Sequence, residues 1–197
     1  EDYAFFSQGL IDLYEASLNT QYLQAAIELI DLSLIHFEDK EKGGFFLTAN
    51  DGEKLLIRAK EIYDGAIPSG NSVMALNLQR LHKITGKNIY QTASKKLFSA
   101  FSGFLEKSPQ GAEVLLQALD FALAPAKEIV VVGEPGTERT NLLLKEINQH
   151  FLPAKVLLFR SVTDKNEEIL KLAPFLKNHK LVKNQAAVYV CENQTCQ

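Results

Sequence analysis

Residues 58 to 72, Arg-Ala-Lys-Glu-Ile-Tyr-Asp-Gly-Ala-Ile-Pro-Ser-Gly-Asn-Ser, gather the side chains best suited to chemistry in this chain. Carboxylates can serve as general acid, base or nucleophile, and hydroxyl and amide groups can read the hydroxyls of a sugar ring. Together with Asp2 and Tyr3, the stretch outlines a carbohydrate pocket. In it Asp64 and Asp2 would be the catalytic carboxylates, and Tyr3, Arg58, Lys60, Glu61, Tyr63, Ser69 and Asn71 the substrate-binding groups. A structural reading competes for the same residues: Ser69 caps a helix, Asp64 closes an Asx turn, and Arg58 pairs with Glu61 to order the loop. The absence of Trp counts against a glycan-stacking cleft, with Tyr3 and Tyr63 as substitutes.

These residues end a connection running from about Glu38 to Pro68, a length that compact domains reserve for functional or disordered segments. Ile57, Ile62, Tyr63, Ala66 and Ile67 supply apolar anchors, so the sequence predicts an ordered pocket wall rather than a floppy linker. Within it, Gly43 to Thr48 and Leu55 to Ile57 flank Asn50-Asp51-Gly52, which predicts a β-hairpin.

Helices must position this loop. A first helix from Tyr3 to Leu18 carries Phe6, Leu10, Leu13 and Leu18, with Tyr14 beside them, as one buried stripe. A second, Gln21 to Phe37, is apolar on most sides and so needs neighbours on most sides. Asn19-Thr20 caps it and makes the pair antiparallel. A third runs from Ser69 to Thr85 and stops at Gly86. A fourth, Ile89 to Glu106, turns Ala93, Leu97, Phe101 and Leu105 inward, and its Ser94, Ser99, Ser102 and Gly103 suggest close approach by another helix. A fifth spans Gln110 to Leu123. The character changes at about residue 125. Glu128 to Val132 reads as a strand buried on both faces, and a helix from Glu138 to Phe151 and a strand from Lys155 to Phe159 complete a βαβ unit. A helix from Lys165 to Phe175 and a strand from Ala186 to Cys191 follow. Residues 1–124 therefore form a helical unit and residues 125–197 a small three-stranded α/β unit.

Gly133-Glu134-Pro135-Gly136-Thr137 lacks both the P-loop ending and the dinucleotide glycine spacing, and reads as a tight turn with Thr137 as cap. Cys191 and Cys196 are spaced for neither a redox CxxC motif nor a zinc site, which would need two further ligands; a loop disulfide is geometrically possible, reduced thiols are the expectation, and a redox role is the functional alternative. His36 and His82 fall on helices as surface or core residues, with catalysis as the alternative. No metal or cofactor is implied.

The 197 residues carry a net charge of −3 and 46% hydrophobic side chains, an ordinary globular composition. Scattered Lys and Arg make no basic footprint for nucleic acid, and no apolar run reaches a membrane span. Two cysteines fit a cytoplasmic home. The chain starts inside an amphipathic pattern and stops one residue past a cysteine, as a fragment would.

Four segments carry a family resemblance: Glu1-Asp2-Tyr3-Ala4, Asp39 to Phe46, Lys60 to Ser72, and Tyr189 to Cys196. The chain resembles the C-terminal part of the YyaL-like (spermatogenesis-associated) thioredoxin-domain-containing proteins, across essentially its whole length. The resemblance implies a partial (α/α) toroid of antiparallel helical hairpins, similar to N-acylglucosamine 2-epimerases and six-hairpin glycosidases. It also implies a parent that is carbohydrate-related, with this portion inactive in isolation because half the pocket wall is elsewhere. A scaffold or partner-binding module coupled to a thioredoxin-like redox domain is the alternative. Expected partners are a small carbohydrate, the N-terminal portion of the parent and a second copy of the chain.

Overall fold

The computed structural model describes residues 1–165, 167–192 and 195–196, the last two by their backbone. Two hairpins of helices lead into a mixed sheet. Helix α1 spans Asp2–Ser17 and α2 Thr20–His36. The reversal between them is local chemistry: Leu18 takes the left-handed conformation, and the Asn19 side chain accepts the Gln21 amide at 3.0 Å. Helix α3 (Gly70–Thr85) starts at Ser69, whose hydroxyl accepts the Ser72 amide, and ends at Gly86 with φ 75°. Helix α4 covers Asn88–Lys107, a 3₁₀ turn Pro109–Gly111 follows, and α5 covers Glu113–Leu123.

Helix α3 is the hub. It packs against α1, α4 and α5 and reaches the sheet, with Val73, Met74, Leu78, Leu81 and Ile84 buried. A completely buried Leu78 contributes about 1.5–3 kcal/mol by removal from water. Polar groups on α3 have partners of their own: Asn77 donates to the Ala4 carbonyl at 2.8 Å and Gln79 to the Ser94 hydroxyl at 2.7 Å.

Strand β1 (Lys127–Gly133) pairs in parallel with β2 (Lys155–Ser161) through the crossover helix α6 (Glu138–Gln149). On its other edge it pairs antiparallel with β3 (Ala187–Glu192), which pairs in turn with β4 (Thr195–Cys196). Among the described residues the sheet order is β2-β1-β3-β4. The β-branched run Ile129 to Val132 is buried on both faces, as its composition predicts. The expected helix at 165–175 contracts to α7 (Glu168–Leu172), followed by a 3₁₀ turn Pro174–Asn178, since Pro174 cannot donate the next helical hydrogen bond.

The two compositional units share one core. A single buried cluster runs from Leu10, Tyr14 and Leu78 into Val130, Val132 and Leu158. Lys83 of α3 reaches the buried Glu128 of β1 at 3.1 Å, and Lys155 of β2 reaches Glu15 of α1 at 3.2 Å.

Several expectations are corrected. No β-hairpin forms between Gly43 and Ile57, where an isolated bridge joins Glu38 to Phe45 and Leu56 is completely exposed. The buried stripe of α1 is Ala4, Ser7, Leu10, Ile11 and Tyr14, whereas Phe6 and Leu13 face solvent. Close approach of α3 is visible at the start of this stripe, where Asn77 donates to the Ala4 carbonyl. On α4, Ser94 is buried, but Ser99, Ser102 and Gly103 are exposed, with nothing within 4 Å of a Cβ built at Gly103. Helix α2 leaves Leu32 and Ile35 uncovered. None of the helices among the described residues is long and apolar enough to cross a membrane.

Candidate functional site

The long loop is ordered by its own polar side chains. Asp39 opens it as an Asx turn, accepting the Glu41 and Lys42 amides at 3.1 and 2.9 Å. Gly43 and Gly44 then turn with φ near 77° and 75°. A side chain at Gly43 would strike the Lys96 carbonyl, so only glycine brings the loop this close to α4. Lys60 closes the turn, donating to Asp39 Oδ2 and to the Gly43 carbonyl, both at 2.8 Å. The Lys42 amide, then the Lys60 ammonium, hold the Asp39 carboxyl down at about 2.

The other nominated residues follow the same pattern. Arg58 donates to the His36 carbonyl at 3.2 Å and to the Thr48 carbonyl, and its guanidinium lies 4.1 Å from the centre of the Phe46 ring. Its partners are backbone carbonyls rather than Glu61. Buried Asn71 accepts the Phe45 amide at 2.7 Å and donates to the Phe45 and Glu61 carbonyls at 2.9 and 2.7 Å. Asp64 accepts the Ser69 amide on one oxygen and the Val114 amide on the other, each at 2.8 Å. Ser69 caps α3 and also donates to the Ser72 hydroxyl. Asp2, Glu61 and Tyr63 stay exposed, and half-exposed Tyr3 packs its ring 5.3 Å from that of Phe37.

Of the nominated residues, Tyr3 and Asn71 line a common cavity, bounded also by Phe37, Phe46 and Met74; Asp2 and Asp64 do not line it. Its volume is about 40 Å³. That holds a water or two, whereas small-molecule sites span roughly 300–1,000 Å³.

A larger cavity, about 500 Å³, opens elsewhere, at the carboxyl ends of β1 and β2. Ser17, Thr20, Thr140, Ser161, Asp164 and Glu168 are among its walls. Sequence reading missed it because its walls come from distant turns, and only the Gly133–Thr137 turn carried a local signal. Thr137 occupies the N-cap position of α6 but makes no side-chain cap; its hydroxyl donates to the Glu134 carbonyl at 3.0 Å.

The remaining candidates lie apart. His36 Nδ1 sits 3.1 Å from Asn50 Oδ1 and 3.3 Å from Asp51, and His82 Nδ1 sits 3.2 Å from the Lys87 carbonyl. Cys191 is buried and disulfide-bonded, which corrects the expectation of a reduced thiol. The sheet register sets Cys196 opposite it, though the Cys196 side chain lies outside the described residues. His179 Nε2 lies 3.5 Å from Cys191 Sγ, and burial lowers the pKa of its imidazole. Among the described residues, no group of three His, Cys, Asp or Glu side chains could hold a metal ion.

These features define a mainly helical chain with a small mixed sheet and a long loop pinned by its own charged and amide side chains. Over all 197 residues it is 38% identical to spermatogenesis-associated protein 20 of Rattus norvegicus and 37% identical to that of Homo sapiens. It is 29% identical to an uncharacterized protein of Caenorhabditis elegans, again along the whole chain. The chain spans about a quarter of the length of the curated relatives it matches. No family model matches it.

Proposed function

We propose that this chain acts as a non-catalytic docking module within a longer polypeptide of the size of its relatives. One observation carries the reading: Arg58, Lys60, Asp64, Ser69 and Asn71 spend their polar groups on holding the loop. A group already committed to backbone partners must break them before it can bind or protonate a substrate, leaving those partners buried and unpaired. Meanwhile Leu56, Ile57 and Ile67 stand in solvent, Leu56 completely so, and such residues in a well-anchored loop suit contact with another surface. A thioredoxin-like domain, which the family resemblance implies, is one surface that could seat there.

A carbohydrate-related reading has its own support. Asp2 and Tyr3 of α1 and Glu61 and Tyr63 of the loop are exposed, and the pair α1–α2, joined by a two-residue turn, suits one hairpin of an (α/α) toroid completed by further polypeptide. In that reading the 40 Å³ cavity is part of a wall rather than a site.

Titrating the longer polypeptide that contains this chain with hexoses, amino sugars and their phosphates, followed by amide NMR shifts, separates the two. The docking reading expects no saturable shift at Asp2, Tyr3, Asp64 or Asn71. Saturable binding there, lost on replacing Asp64 with Asn in a chain that stays folded, would overturn it.

A further inference from the structure

The outer face of α5 has an arrangement that folding alone does not explain. Glu113, Leu116 and Asp120 recur at helical spacing and, with Leu76, Phe121 and Phe151, line a groove of about 670 Å³. Phe151 stands 91% exposed at its edge, on the loop between α6 and β2. Asp120 lies in the last turn of α5, where a negative charge opposes the helix dipole and no basic side chain compensates it. Glu113 and Asp120 make no ion pair among the described residues. The nearby positive charges are spent elsewhere: Arg80 pairs with Asp12 at 2.6 Å and with Glu15 at 3.1 Å, and Lys155 pairs with Glu15. The groove is thus an apolar floor whose charged rim is wholly acidic.

We propose that this groove docks a basic amphipathic helix, its apolar ridge against Leu116 and Phe151 and its Lys or Arg side chains over Glu113 and Asp120. The proposal rests on the docking-module reading and assigns it a surface and a partner chemistry. In helix-in-groove recognition the bound helix supplies apolar anchors spaced i, i+3 or i+4, i+7, and here Leu76, Leu116, Phe121 and Phe151 are the apolar walls that would receive them. A second copy is the poorer occupant, because a two-fold contact through this face would bring two acidic rims together out of water.

The test uses the complete chain and a roughly 15-residue helical peptide of leucines on one face and lysines beside them, followed by fluorescence anisotropy. Saturable binding that weakens with added salt is expected. Phe151→Ser, or Glu113→Gln with Asp120→Asn, should each weaken it about tenfold. Glu138→Gln with Glu146→Gln, which removes equal charge from α6, should leave it unchanged. Equal binding of a peptide with glutamates in place of lysines, or equal loss in the α6 variant, overturns the proposal. So does a dimer of the chain that Phe151→Ser dissolves, and so does an absence of binding by either peptide. If sugars bind at the long loop, the docking reading itself falls; if peptides and sugars both fail, only the groove assignment is lost.

Discussion

The carboxylate of Asp64 accepts the Val114 amide at 2.8 Å across a separation of 50 residues, tying the long loop to the first turn of α5. Its other oxygen accepts the Ser69 amide at the N-cap of α3. One side chain therefore sets where two helices begin. Asp64→Asn keeps one carbonyl acceptor and leaves the second amide unpaired, which should cost about 1–3 kcal/mol. Asp64→Ala removes both acceptors and should cost more. Urea midpoints of the two variants measure this. Unchanged midpoints would mean that the carboxylate is held for another purpose and would revive its catalytic candidacy.

Acid should destabilise the chain in two separable windows. His179 is pushed below its usual 6.5, mainly by burial, so the unfolded chain takes up a proton that the folded one refuses. Its contribution is complete above pH 6.5 and declines as pH falls below that value. Asp39 is held at about 2 against an ordinary 3.8, first by the Lys42 amide and then by Lys60. Its contribution is complete above about pH 3.8 and is lost as pH falls toward 2. Urea midpoints measured from pH 8 to pH 2 should therefore decline in two steps. Asp39→Asn should flatten the lower step and leave the upper; an unaltered lower step in that variant would detach Asp39 from acid stability.

How much of this was legible depended on whether a signal was local. Asn19, Ser69 and Gly86 mark helix ends through hydrogen bonds and conformations involving their immediate neighbours, and all three lie where the sequence puts them. The buried β1 strand was equally readable from its unbroken β-branched run. The stripe on α1 was not, because Phe6 and Leu13 satisfy helical periodicity as well as Ser7 and Ile11 do, and only the positions of α2, α3 and the sheet, which pack against α1, decide between them. The β-hairpin failed for a related reason. Asn71 and Arg58 capture backbone groups of Phe45 and Thr48, which a strand pair would otherwise have used. At the loop site, residue types announced chemistry while their partners, up to 50 residues away, showed structure.

The ion pair between Lys83 and Glu128 tests whether the helical and sheet segments fold as one body. The Lys83 ammonium lies 3.1 Å from the Glu128 carboxylate, with the side chains 12% and 1% exposed. Removing one partner takes away the counter-ion that lies 3.1 Å from a buried charge, so Lys83→Met or Glu128→Leu alone should be strongly destabilising, by up to about 3–5 kcal/mol. The double variant replaces both charges with apolar groups and should recover most of that loss. Because the pair joins α3 to β1 inside a shared core, every variant should unfold in one transition, seen together by far-UV circular dichroism and by tyrosine fluorescence. Two transitions, with only one responding to Glu128→Leu, would divide the chain near residue 125 into independent units. Additive single substitutions would show instead that the two charges do not depend on each other.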